Sequence, residues 1–274
     1  MGLLIVDESK CKRDGICVSE CPASLIQLPG DRGVPEIIQG GEDACVSCGH
    51  CVAVCPQEAL SHQRVTLEDA IPIRKDIEIN EEQAVQFLRT RRSIRRYKDK
   101  PVEQEKIIRL IEAARYAPTG ANRQLVEWLV LCDKSKIRKI AGLTIDWLRQ
   151  ILKNPDHVAV NPYLPMVVKA WDAGHDSVLR GAPVLIVASA PKEAMNGMVD
   201  LTLALAYLDL LAPVMQLGTC WAGLLQRALL ASPPLKSIVG IPEGNTQYYP
   251  LMLGYPDAKY YRLPERKQPR IIFG

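Results

Sequence analysis

Seven of the nine cysteines lie before residue 56, and only Cys132 and Cys220 follow. Cys45, Cys48, Cys51 and Cys55, with Pro56 behind them, form a complete C-x2-C-x2-C-x3-C-P run. Three thiolates on so tight a loop can take three corners of an iron–sulfur cube, while the fourth reaches to a second cluster. Cys11, Asp14, Cys17 and Cys21, followed by Pro22, keep the same spacing with Asp14 in the second cysteine's place. The two groups repeat at an offset of 34 residues, Cys11 to Cys45 and Cys21 to Cys55. A zinc site would need only four thiolates and has no use for a repeat ending each time in Cys-Pro. In a reducing compartment, clustered cysteines point to metal rather than to disulfides.

This repeat resembles the two-cluster ferredoxin pattern, whose cross-over rule assigns the ligands. One cluster takes Cys45, Cys48, Cys51 and Cys21; the other takes Cys11, Cys17 and Cys55. Asp14 is either the fourth ligand of the second cluster or the first residue of an Asp-Gly turn. A carboxylate holds iron less firmly than a thiolate. The Asp14 cluster is therefore expected to be the labile one, either 4Fe–4S with an oxygen ligand or 3Fe–4S. His50, His157 and His175 sit in no ligand pattern and read as surface or loop residues. Cys132 and Cys220 read as small core residues, and Trp221 as packing.

Further along, Arg91-Arg92-Ser93-Ile94-Arg95-Arg96 places four guanidiniums and a hydroxyl in six residues. Planar multi-donor groups suit a phosphate dianion, although a solvated basic face has the same composition. Ala117-Pro118-Thr119-Gly120-Ala121-Asn122-Arg123-Gln124 is a helix-ending loop with amide side chains. Gly218-Thr219-Cys220-Trp221-Ala222-Gly223-Leu224 follows an apolar helix, and Gly223 can bring backbone close to a ligand. Leu263-Pro264-Glu265-Arg266-Lys267-Gln268-Pro269 adds further charge near the C-terminus.

The elements that must position these residues can be read from periodicity. Residues 61–79 carry mixed charge without a long apolar period and read as a linker. Glu81 to Arg91 and Val102 to Tyr116 have helical spacing, with Ile107, Ile108, Leu110, Ile111 and Ala114 on or near one face. Val126 to Cys132, Pro183 to Ser189 and Tyr249 to Gly254 read as buried strands. Ile145 to His175 is a variable-looking stretch, and an apolar helix begins at Asp200. Alternating helices and strands predict an α+β or α/β sheet flanked by helices.

With these motifs in this order, the chain resembles the nitroreductase family of FMN enzymes, in the branch with an N-terminal ferredoxin-like domain. The resemblance rests on Arg91-Arg92-Ser93, Pro118 to Asn122 with Gln124, Gly218 to Gly223, Gly254-Tyr255-Pro256 and Arg266-Lys267-Gln268-Pro269. It implies an α+β protein: a ferredoxin-like domain over 1–62, a linker over 63–79, and an FMN-binding domain over 80–274. In the last, a mainly antiparallel sheet is flanked by helices. It implies a homodimer with FMN at the subunit interface. Arg91, Arg92 and Ser93 would hold the phosphate and ribityl chain, helped by Arg266 or Lys267. Arg95 matches the basic residue near the flavin N1–O2 edge. Pro118 and Thr119 belong to the flavin-contacting loop, and Asn122 and Gln124 would reach FMN from the neighbouring subunit. Gly223 or Leu224, beside Ala222, would give a backbone N–H to flavin N5. Members often have Gln-Pro-Trp where this chain has Gln124-Leu125-Val126, which alters the pocket wall.

The implied activity is an FMN-dependent oxidoreductase that receives single electrons through its clusters. It would reduce a small organic acceptor (nitroaromatic, quinone or activated alkene) by hydride transfer from flavin N5. Ferredoxin or NAD(P)H would be the donor, and no catalytic side chain is named. The alternative is an adaptor passing electrons from ferredoxin through FMN to a partner protein. A net charge of +3 over 274 residues argues for neither nucleic acid nor membrane. No signal-peptide pattern opens the chain, and Leu201 to Leu217 contains Asp209 and Pro213, as a buried core helix could. The expectation is a cytoplasmic protein.

Overall fold

The 34-residue repeat in the sequence is also a repeat of backbone. In the computed structural model, which describes residues 2–30, 32–156 and 161–274, two four-residue helices follow left-handed glycines. They are α1 (Ile16–Ser19) after Gly15 at φ 73° and α2 (His50–Ala53) after Gly49 at φ 74°. That conformation is cheap only without a Cβ, so both positions call for glycine. Other left-handed residues match at the same offset, Arg13 with Ser47 and Ser24 with Glu58. The N–H groups of Cys21 and Cys55 donate to Val18 O and Val52 O, each at 3.3 Å.

These helices belong to the first of two units, Met1–Glu78 with Ala121–Arg123. Its first strand, β1 (Leu4–Val6), pairs antiparallel with its last, β4 (Leu60–His62). Between them, β2 (Ile26–Gln27) pairs with β3 (Glu36–Ile37). Leu3, Leu25, Ile26, Val52, Ala59 and Leu60 make its small core. Residues 63–78 carry one 3₁₀ turn, Lys75–Ile77, and leave Ile71 and Ile73 exposed. In segment 121–123, Asn122 Nδ2 donates to Val46 O at 3.2 Å and to Ser47 O at 3.0 Å.

The second unit, Ile79–Gly120 with Gln124–Gly274, is built on an antiparallel four-stranded sheet. Its strands are β5 (Glu127–Leu131), β6 (Val184–Pro191), β7 (Gly218–Trp221) and β8 (Asn245–Gly254), in spatial order β5-β6-β8-β7. Alternate residues of β6 face opposite sides, and both sides are buried, which explains its unbroken apolar run. On one side, Leu185 and Val187 meet α5 (Lys134–Ile151), α8 (Gly223–Ala231) and α9 (Pro233–Val239). On the other, Val184, Ile186 and Ala188 meet α4 (Gln104–Ala114) and α7 (Gly197–Leu211).

Local chemistry sets the helix starts. Asn80 and Gln83 form a reciprocal capping box on α3 (Glu81–Thr90). Asp133 caps α5 by accepting from the N–H groups of Ser135 and Lys136. The apolar segment Gly197–Met215 is, among the described residues, the one helix long and apolar enough to cross a membrane. Its Leu201, Leu205, Leu208 and Ala212 are buried against the sheet and α4, while Val199, Tyr207 and Val214 stay exposed.

The structure fills in two stretches to which the sequence assigned no element, and it changes one expectation. The stretch 145–175 is largely helical: α5 runs through Ile145 and Leu148, both fully buried, and α6 spans Leu164–Asp172. Residues 157–160, and His157 with them, lie outside the described residues. Gly218 to Trp221 is a strand, because β8 extends far enough to pair with it. Cys132 is exposed, since it follows the last residue of β5 and directly precedes the α5 cap; Cys220 is buried as expected.

Candidate functional site: two thiol cavities and an arginine-lined cavity

The left-handed turns before α1 and α2 fold each cysteine run back on itself, so that thiols far apart in sequence face a common space. Cys11, Asp14, Cys17 and Cys55 line one cavity. Cys21, Cys45, Cys48 and Cys51 line another. Among the described residues, no three of the His, Cys, Asp and Glu side chains converge on a point fit for one metal ion. Four groups set around a space suit a multi-iron cluster better than a single zinc.

The electrostatics say what such a space needs. Burial pushes the Cys51 thiol up to about 11, with the Cys48 thiolate adding to it. Burial also raises Cys17. Thiolates packed this way require a positive centre among them, and a bound metal deprotonates its thiols. Backbone N–H groups face the sulfurs at matching positions, Leu25 N to Cys21 Sγ at 3.4 Å and Ala59 N to Cys55 Sγ at 3.3 Å. Asp14 Oδ1 accepts the Ile16 N–H at 3.2 Å, so its carboxylate serves the turn while lining the cavity.

One residue near the thiols carried no sequence signal used above. His62, the last residue of β4, is 2% exposed, and its Nε2 lies 3.5 Å from Cys45 Sγ. Its Nδ1 accepts the Arg64 N–H at 3.0 Å. Burial, and then the Arg64 charge, lower its pKa from the ordinary histidine value. Its position in the repeat pairs it with Leu28, which is how it could have been found. His50 is largely exposed, with Nδ1 3.6 Å from Glu20 Oε1.

In the second unit the arginines converge. Arg89, Arg91, Arg92 and Arg266 line a cavity of about 320 Å³ with Leu88, Leu263, Pro264 and Glu265. The run 91–94 is fixed against β7: Ile94 N donates to Thr219 O at 2.8 Å, and Ser93 bridges Thr219. Gly218 makes this approach possible, since a Cβ there would stand 2.3 Å from Ile94 Cγ1. Arg92 Nη1 donates to Arg91 O at 2.6 Å, while its Nε is buried without a partner. Guanidiniums gathered around one cavity fit an oxyanion. Arg95 and Lys267 are exposed and do not line this cavity.

A buried carboxylate orders this corner. Asp209 on α7, 3% exposed, accepts from Thr219 Oγ1 and from Trp221 Nε1, the latter at 3.0 Å. Arg91 Nη1 stands 3.5 Å from it. Trp221 is further held edge-on against Tyr249 at 5.0 Å between centroids. Next in the chain, the Ala222 N–H donates to Pro250 O at 3.0 Å, and Gly223 opens α8. Leu224 lines a separate cavity of about 370 Å³ with Trp147, Leu148, Ile151, Leu164 and Arg227.

The loop after α4 lies elsewhere. Pro118 is exposed and Thr119 half-buried. Gly120 N donates to Asp200 Oδ1 at 3.0 Å, and Gln124 N to Thr119 Oγ1 at 3.0 Å. Ala121, Asn122 and Gln124 all have positive φ, a costly conformation for residues with a Cβ. Asp200 and Asp209 stand nine residues apart on α7, or about 14 Å at about 1.5 Å per residue. The loop and the arginines thus attach to opposite ends of one helix.

Known proteins match both parts of the chain. Residues 9–60 match the 4Fe-4S dicluster domain. "Ferredoxin 7Fe" of Hydrogenibacillus schlegelii is 32% identical over 72 residues, 26% of this chain and 80% of that protein. The FMN reductase [NAD(P)H] of Bacillus subtilis strain 168 is 28% identical over 189 residues, 67% of this chain and 71% of that protein. A nitroreductase with bound FMN from Bacteroides fragilis NCTC 9343 shares the fold, with a TM-score of 0.56 at 20% identity. That match covers 72% of this chain and all of the other. Residues 88–255, which hold the sheet, the arginine run and the buried Asp209, match the nitroreductase family, and the chain belongs to it.

Proposed function

We propose that this protein is an FMN-dependent oxidoreductase supplied with single electrons through its own two iron–sulfur clusters. The observation that carries the reading is the cavity of Arg89, Arg91, Arg92 and Arg266, with the partnerless Arg92 Nε buried beside it. There the guanidiniums would hold the FMN phosphate, with Ser93 at the ribityl chain and Arg95 toward the ring. Ala222, Gly223 and Leu224 would meet the ring from the start of α8, and Lys267 would add charge from the C-terminal segment. Cys11, Cys17, Cys55 and Asp14 would hold one cluster; Cys21, Cys45, Cys48 and Cys51 would hold the other. When bound, the clusters would supply one-electron steps and FMN a hydride transfer from N5.

The chain's own contribution is binding, orientation and exclusion of water. Asp209 fixes Arg91, Trp221 and Thr219 in one arrangement, so the anion site needs little reorganisation when filled. The cavity of about 370 Å³ beside Leu224, walled by Trp147, Leu148 and Ile151, has the size and apolar lining of a small-molecule site. This favours reduction of an organic acceptor over the adaptor reading. The acceptor class is nitroaromatic, quinone or activated alkene. Ferredoxin or NAD(P)H is the donor, the latter in keeping with the name of the Bacillus subtilis relative.

The two-ended attachment to α7 supports a homodimer in which Pro118, Thr119, Asn122 and Gln124 serve the flavin of the other subunit. The exposed Val199, Tyr207 and Val214 on that helix would be covered by the same association. A reducing cytosol, which keeps the thiols available, is the compartment we assign.

Anaerobic purification with iron, sulfide and flavin quantification tests the reading, followed by reoxidation of the reduced protein with each acceptor class. Bound FMN, two clusters and rapid reoxidation by at least one class are expected. Protein that takes up no FMN refutes the flavin assignment. Reoxidation by protein partners alone would replace the enzyme with the adaptor.

A further inference from the structure

The two halves of the first unit agree in backbone, so residues that differ at matching positions distinguish the two cavities. One such pair is Asp14 and Cys48; another is Leu28 and His62. His62 Nδ1 accepts the Arg64 backbone N–H at 3.0 Å, and a backbone N–H can only donate. Nδ1 therefore carries no proton. The neutral ring must carry its proton on Nε2, the atom 3.5 Å from Cys45 Sγ. Burial to 2% exposure fixes the ring in this orientation. Each cavity has one backbone N–H facing a sulfur, at Cys21 and at Cys55. The side-chain donor belongs to the Cys45 cavity, and leucine stands at the matching place in the other half.

We propose that His62 is a positioning residue that donates its Nε2–H to Cys45 Sγ and thereby raises the reduction potential of the cluster held by Cys21, Cys45, Cys48 and Cys51. The physical reason is the sign of the dipole. Reduction adds one electron to the cluster, taken from a donor that is itself oxidised, and no proton moves. Part of the added charge falls on the thiolate sulfurs. An N–H pointing its positive end at one of them stabilises the reduced form more than the oxidised form. Electrons would then rest preferentially on this cluster. The inference depends on reading this cavity as a cluster site.

The test is an anaerobic redox titration of full-length holoprotein followed by EPR, comparing wild type with His62→Leu and His62→Gln. Leucine keeps the bulk and removes the donor. At a fixed potential near the midpoint, the reduced-to-oxidised ratio of this cluster should fall about tenfold, a lowering of about 59 mV for one electron. Glutamine, whose amide reaches a similar position, should restore at least half of that shift. The potential of the second cluster should not move. An unshifted potential in His62→Leu, or equal shifts in both clusters, overturns the proposal.

If His62→Leu fails to load, hyperfine spectroscopy of ¹⁵N-histidine-labelled His50→Gln protein decides instead. His62 is then the remaining histidine among the described residues lining that cavity. A nitrogen coupling on this cluster supports the contact, and its absence overturns it. Wild-type protein with no cluster signal from this cavity would instead overturn the ligand reading itself, and this proposal with it.

Discussion

Replacing Arg92 with alanine perturbs the proposed phosphate anchor without disturbing the buried Asp209. Arg91 would be a poorer choice, because its Nη1 lies 3.5 Å from that carboxylate and its removal would also weaken a structural contact. Arg92 Nη1 is used internally by the Arg91 carbonyl, and Nε is buried with no partner. Arg92 lines the cavity, where a bound anion would accept from its guanidinium. A hydrogen bond to a charged group contributes about 1.5–3 kcal/mol. At about 1.4 kcal/mol per tenfold, Arg92→Ala should weaken FMN binding by roughly tenfold to a hundredfold. Riboflavin has the same ring and ribityl chain without the phosphate, so its affinity should change far less. The assay is quenching of flavin fluorescence on titration into apoprotein, with both ligands on both proteins. Equal losses for FMN and riboflavin would show that Arg92 shapes the site generally rather than binding phosphate. An unchanged FMN affinity would remove the anion-site argument altogether.

Other consequences can be measured independently. Mild oxidation should convert the Asp14 cluster to 3Fe–4S while the Cys45 cluster stays cuboidal, and Asp14→Cys should suppress that conversion; equal decay of both clusters by EPR would leave Asp14 as a turn residue. Asp209→Leu strands the Trp221 N–H, the Thr219 hydroxyl and Arg91, so the denaturant midpoint should fall by an amount equivalent to about 3–5 kcal/mol; a loss under about 1 kcal/mol would contradict the buried network. The Tyr255 hydroxyl, then the Glu103 backbone and Lys100, hold the Glu103 carboxyl down to about 2 from an ordinary 4.5. Its folded pKa is the lower one, so this stabilisation is complete above pH 4.5 and disappears as pH falls through about 2. The difference in thermal midpoint between wild type and Tyr255→Phe should therefore shrink steadily over that range, and a constant difference would refute the linkage. Finally, FMN should stabilise the dimer by linkage, and sedimentation showing a monomeric holoprotein at micromolar concentration would rule out a shared site.

Cysteine spacing made the first unit legible because a cluster imposes its geometry on the chain directly. Gly15 and Gly49 belong to the same message, since the thiols converge only if the backbone turns left-handed there. The strands of the second unit were legible where the apolar run was continuous, as in β6, and were read short where polar residues joined the ladder, as at Asn245 to Tyr248 of β8. β7 was missed because four residues beginning with glycine carry no periodicity; its partner defines it. The helix Lys134–Ile151 carries its signal in the sequence. Ile137, Ile140, Ala141, Thr144, Ile145 and Leu148 trace one helical face, with Asp133 as cap. Asp209 was visible as a charge in an apolar helix, but nothing local names Thr219, Trp221 and Arg91 as its partners. His62 was hidden for a similar reason, since β-pairing and a turn at Arg64, rather than sequence proximity, bring it to Cys45.

The pairing of β1 with β4 bears on the order in which the protein can be made. Strand β1 ends at Val6, yet its partner begins at Leu60, so the ladder cannot close until most of the unit has left the ribosome. The thiol cavities obey the same timing. The one around Cys11 and Cys17 waits for Cys55, and Cys21 waits for Cys45, Cys48 and Cys51. At about 5–20 residues per second, the early cysteines spend a few seconds as an open chain of reduced thiols. Metal insertion is therefore an event of the finished unit rather than of its first half. A nascent chain stalled at residue 50 would offer a cluster-delivery system no completed site.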